Sequence, residues 1–144
     1  MGGILVVTLV LAACLAGCES DEEPNGFREG YDAAVQRLSE VQSEIEQGDD
    51  RSNREIAADF RRTAEVWDKT RTQLSRLEPP EEARSEFEEL LTALEGGVAD
   101  LRAAARAARS SDPEAFREAR ESLSESSEDI NSADNALKDA VDEG

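Results

Sequence analysis

The sequence predicts an all-α chain: an up-down-up-down antiparallel four-helix bundle that follows an N-terminal signal segment. Apolar residues recur at strict 3,4 spacing in four stretches, the period of helices that each bury one face. Gly48, Pro79-Pro80 and Asp112-Pro113 divide those stretches. Beyond the first residues the chain is rich in Ala, Glu, Arg and Leu, with few other breakers. The expected organisation is a signal over 1–17, an acidic tether over 18–25 and the bundle over 26–144.

The first helix is expected over 26–47, with Phe27, Tyr31, Ala34, Leu38, Val41 and Ile45 as its stripe. Asn25 suits its cap, and Gly48 suits a left-handed end. The second is expected over 53–77, with Ile56, Phe60, Thr63, Trp67, Thr70, Leu74 and Leu77. Ser52-Asn53-Arg54-Glu55 has the spacing of a capping box before it, and the two prolines must stop it. The third is expected over 80–109, opening on Pro80 with Glu81 and Glu82 at its positive end. Its stripe is Ala83, Phe87, Leu90, Leu94, Gly97, Leu101, Ala104 and Ala108. The fourth is expected over 113–142, capped by Asp112 with Pro113 in its first position, and carries Phe116, Ala119, Leu123, Ser126, Ile130, Ala133, Leu137 and Ala140. Val35, Leu91, Val98 and Val141 widen the stripes to the face of a bundle helix. Short connections make successive helices antiparallel neighbours.

Gly96-Gly97 interrupts the third helix, where each glycine costs roughly 1 kcal/mol against alanine. Folding each hairpin about its turn puts Leu38, Phe60, Gly97 and Ser126 in one layer. The glycines then either make room for the Phe60 ring or open a mid-bundle gap for a small apolar ligand.

Residues 1–17, MGGILVVTLVLAACLAG, carry no charge, and the apolar run over 4–13 is short for a transmembrane helix but suits the h-region of a secretory signal. It ends in Leu15-Ala16-Gly17-Cys18, and Glu19-Ser20-Asp21-Glu22-Glu23 follows at once. This segment resembles the lipobox of prokaryotic lipoprotein precursors. The resemblance implies cleavage before Cys18, a diacylglyceryl group on its sulfur, and a chain held to the extracytoplasmic side of a cell membrane. Leu11-Ala12-Ala13-Cys14 is a second match, less suited because cleavage there leaves apolar Leu15-Ala16 on the product. No Lys or Arg precedes the apolar run, which departs from the pattern and points to a start upstream of Met1. With Cys18 modified, no free thiol remains and a packed core must supply the stability.

Lys plus Arg is 16, Asp plus Glu is 34, and the net charge is −18. That excess disfavours a nucleic-acid backbone as partner. There is no histidine and the single methionine is Met1, so haem ligation and the Glu-x-x-His pairs of di-metal bundles both fail. No cofactor and no metal are expected. The Glu81–Glu89 cluster lacks calcium-loop spacing and suits weak, diffuse cation binding at most. The usual neutral-pH general base is missing, and packed heptads leave no cleft for carboxylate chemistry, so no enzyme is expected.

The up-down topology gathers acidic residues at the end that holds Cys18, the proline turn and the C-terminus. It gathers Arg51, Arg54, Arg106, Arg109, Arg117 and Arg120 at the other, with Arg102 close by. Arg102, Arg106, Arg109, Arg117 and Arg120 are then the candidate docking face for an acidic envelope protein or an anionic polymer. The alternative is ion pairing within the bundle to Asp100, Glu114, Glu118 and Glu121. The reading these features favour is a lipid-anchored, non-catalytic structural or interaction module of the cell envelope. The alternative is an extracytoplasmic carrier of a small apolar ligand near Gly97.

Overall fold

The computed structural model describes residues 25–45 and 52–143. Among them the fold is all-α, with four helices: α1 (Asn25–Ile45), α2 (Asn53–Leu74), α3 (Arg84–Ser110) and α4 (Pro113–Glu143), plus a 3₁₀ turn at Glu81–Ala83. The signal, Cys14, Cys18, the tether up to residue 24, Gly48 and Arg51 lie outside the described residues, and Asn25 opens α1. No described helix is long and apolar enough to cross a membrane.

The capping box before α2 is formed. The Ser52 hydroxyl accepts from the Glu55 N–H, and the Ser52 N–H donates to Glu55 Oε2 at 2.9 Å. Asp112 caps α4, its carboxylate accepting from the N–H groups of Glu114 at 3.0 Å and Ala115 at 3.1 Å. Ser111, between α3 and α4, takes a left-handed conformation with φ 54° and ends α3. The proline turn departs from expectation. The α-helix stops at Leu74 rather than at 77, and its last turn tightens through the bonds Arg76 N–H to Gln73 and Leu77 N–H to Leu74. Pro80 does not open α3; with ψ 150° it is extended, and a 3₁₀ turn intervenes before Arg84.

Helix α3 is the centre of the molecule. It packs against both α2 and α4, and all eight residues of its stripe, including Ala83 ahead of it, are buried. Along α4 the stripe is mostly half-buried, with Ala119 and Leu137 buried. Helix α1 lies beside α2, and its own ring pair, Phe27 stacked on Tyr31, meets Phe87 edge-on at 5.3 Å between ring centres. Side chains join α1 to α4: Tyr31 donates its hydroxyl proton to Asp134, and Arg28 bonds the Val141 carbonyl and Asp142. Burial, then the bond to Asp134, push the Tyr31 hydroxyl well above its ordinary pKa.

On α2 and α3, Asn53 meets Ser111, Asp68 meets Arg102 and Arg71 meets Glu95. The layer at Gly97 is not the one expected. A Cβ on Gly97 would stand 2.8 Å from Trp67 Cζ3 and 3.0 Å from Ile130 Cδ1, so the large ring over the glycine is Trp67, not Phe60. Phe60 lies seven residues away on α2, about 10 Å along the axis, and packs edge-on against Phe116. The physical cause is the turn. Trp67 and Gly97 are equidistant from Glu82, not from the prolines, because α2 stops early and the 3₁₀ turn lengthens the α3 side of the hairpin.

The two glycines therefore answer differently to a methyl group. Gly97→Ala overpacks against the indole and lowers stability by about 1–2 kcal/mol, after allowing for the gain in helix propensity. Gly96→Ala meets nothing closer than Ser126 Oγ at 4.0 Å and raises stability by up to about 1 kcal/mol. Denaturant midpoints of the two variants on opposite sides of the parent would bear this out. Thr70 is fully buried and its hydroxyl has no partner among the described residues. Thr70→Val removes an unmet polar atom at nearly constant shape and is expected to add about 1 kcal/mol in the same measurement.

Candidate functional site

Two adjoining depressions lie in the groove between the first half of α2 and the last third of α3. One, of about 650 Å³, is bordered by Ser52, Asn53, Arg54, Arg61, Arg109 and Ser111 over a floor of Ala57, Ala58 and Ala108. The other, of about 200 Å³, is bordered by Arg61, Arg102, Arg106 and Arg109 over Ala57 and Ala105. They share Ala57, Arg61 and Arg109, so they form one continuous groove. Among the described residues no Asp or Glu lines either one; a third depression of about 150 Å³, which shares Asn53, Ala108 and Ser111 with the first, is lined by Asp112 and Phe116.

Local sequence explains why these arginines stand together without partners. Residues three or four positions away on a helix are the ones within reach. Around Arg54, Arg61, Arg106 and Arg109 those positions within the helix are mostly alanine or another arginine, with Glu65 the single carboxylate. None of the four has a hydrogen bond or ion pair among the described residues. The alanines also let α2 and α3 approach closely, which brings the two arginine rows to opposite lips of one groove. Asn53 Nδ2 donates to Ser111 Oγ at 3.3 Å and pins the open end.

Arg102 is the exception. Its guanidinium bonds Asp68 at 2.9 Å across α2 and α3, and Arg71 reaches the same carboxylate at 3.4 Å. The Arg102 bond is the main reason the Asp68 carboxyl sits below its usual pKa; desolvation opposes the shift, and the Arg71 bond adds to it.

The expected docking face is thus brought together only in part. Arg102, Arg106 and Arg109 line the groove. Arg117 and Arg120 do not: both are exposed on α4, and Arg117 pairs with Glu121 at 3.1 Å. Asp100, an expected arginine partner, instead accepts the hydroxyl proton of Ser126. Arg61 joins the site although its sequence position on α2 did not mark it. The available signal was its seven-residue spacing from Arg54 with Ala57 and Ala58 between.

Trp67 and Ile130 pack on Gly97. Gly96, beside it, lines an open depression of about 730 Å³ between α3 and α4 that also carries Glu88, Glu89 and Asp129. Among the described residues no three carboxylates stand close enough to hold a metal ion.

The groove lies far from the start of α1. Phe27 and Arg28 touch Phe87 and Asp142, whereas the groove centres on Arg106. The 19 residues from Phe87 to Arg106 span about 28 Å of α3. Compared with family models, curated proteins and solved structures, the chain matches none.

Asp68→Asn removes the charged bridge between α2 and α3. The group is more than a third exposed, so the expected loss near neutral pH is a few tenths to about 1 kcal/mol. A carboxyl depressed in the folded state adds stability above its unfolded pKa of about 3.9 and loses it as pH falls through the lower folded value. The stability gap between parent and variant should be full at pH 7 and close toward pH 2, measured by urea unfolding at both.

Proposed function

We propose that the chain is a lipid-anchored, non-catalytic interaction module of the cell envelope, tethered through Cys18 on the extracytoplasmic side. In this reading the four helices form an up-down-up-down antiparallel bundle, and the arginine groove is its docking face for an anionic partner. The observation that carries the docking face is a set of four arginines, Arg54, Arg61, Arg106 and Arg109, without an ion pair or a lining carboxylate among the described residues, in a chain of net charge −18. Fixed positive potential of this kind speeds encounter with an anionic partner and fixes its register. The opposed contacts along α1 and α2, α2 and α3, and α3 and α4 support the bundle. The motif Leu15-Ala16-Gly17-Cys18 supports the anchor. Two or three acyl chains on one terminus are enough for stable attachment.

In a prokaryotic host, labelled fatty acid should enter the full chain and be lost in Cys18→Ser. Label that persists in Cys18→Ser, or that never appears, would overturn the anchor.

A further inference from the structure

Resting on the docking-face reading, we infer that the groove between α2 and α3 binds a linear polymer whose repeating charge is a phosphate, extended along the arginine rows. The ligand must be thin. The floor of the two depressions is the methyl groups of Ala57, Ala105 and Ala108, with Ala58 exposed at the edge, and among the described residues the nearest aromatic is Phe116 in the adjoining depression beyond Ser111. It must also be long rather than compact. Arg102 to Arg109 spans about 10 Å of α3, and Arg54 to Arg61 the same length of α2, so the cations form two facing rows.

The donor set fits phosphate. Every cation in the groove is arginine, whose planar fork holds phosphate oxygens in pairs. A phosphate between two rows offers oxygens to both lips at once. Ser111 lies at the open end; its oxygen accepts from Asn53, which leaves its own hydroxyl proton to donate. The groove also lies about 28 Å along α3 from Phe87, the residue that meets the start of α1.

The test is calorimetric titration of inorganic polyphosphate into the full chain, held in non-ionic micelles at 0.15 M salt, where remote carboxylates are largely screened. Saturable binding is expected. Arg106→Glu with Arg109→Glu should weaken it at least about tenfold, and Arg54→Glu with Arg61→Glu, on the opposite lip, should do the same. Arg117→Glu with Arg120→Glu should leave it within about twofold. Trp67 fluorescence, from a buried ring remote from the substituted positions, reports that each variant is folded. Binding that survives both groove variants in folded protein would overturn the proposal. Displacement by phosphatidylglycerol doped into the micelles would overturn the polymer in favour of a headgroup. Equal or tighter binding of polyglutamate would overturn phosphate while leaving the groove an acidic-protein docking face. Binding of none of these anions would remove the docking face itself.

Discussion

The contact on which the rest of the molecule depends is the Trp67 ring lying over Gly97. It is a steric lock among three helices, since Ile130 of α4 closes on the same glycine. A glycine there admits the indole, and even a methyl group would crowd it. The lock fixes how far α2 is slid along α3. In that register Asp68 falls beside Arg102, Asn53 beside Ser111, and Arg54 and Arg61 fall opposite Arg106 and Arg109. Slide α2 by one heptad, so that Phe60 covers Gly97, and Arg61 would take the place of Asp68 beside Arg102, setting a cation where its carboxylate partner now stands. The groove is therefore a consequence of core packing some distance away.

That dependence explains what the sequence could and could not say. The stripe of α3 was readable to the residue, because a central helix buried on its whole apolar face shows its full period. The Ser52 and Asp112 caps were readable because capping chemistry is local. The register was not. A heptad pattern maps onto itself when slid by seven residues, so apolar spacing scores Phe60 and Trp67 equally well against Gly97. Only ring size and the real reversal point distinguish them. The reversal point moved to Glu82 because α2 unwinds after Leu74 and a 3₁₀ turn precedes α3, a detail the Pro79-Pro80 pair hides rather than announces.

The candidate site inherits the same division. Arg102, Arg106 and Arg109 were visible as one helical stripe, since they share an element. Arg61 was invisible without the register. Arg117 and Arg120 were included because they sit near the right end of the chain's path, but nearness to an end does not say which side of α3 a helix occupies. Helices α2 and α4 take different sides: α2 presents Asp68 to Arg102, and α4 presents Ser126 to Asp100. Arg117 satisfies itself with Glu121 one turn along, as an exposed helical ion pair does.

The absence of carboxylates from the described lining of the groove has an electrostatic consequence. Arg102, Arg106 and Arg109 repel one another at 4,3 spacing, which costs a helix a few tenths of a kcal/mol per pair. Asp68 relieves one end of the row and leaves the other end unrelieved. A glutamate at Ala103 or Ala105 would sit among these arginines, yet both positions are alanine. Because the guanidinium groups are solvated, the repulsion is small enough for the fold to tolerate. In the proposed complex, anions from outside would lie between the two rows and relieve it. Binding should then stiffen the α2–α3 pairing at the end away from Trp67, where the structure otherwise offers the Asn53–Ser111 bond.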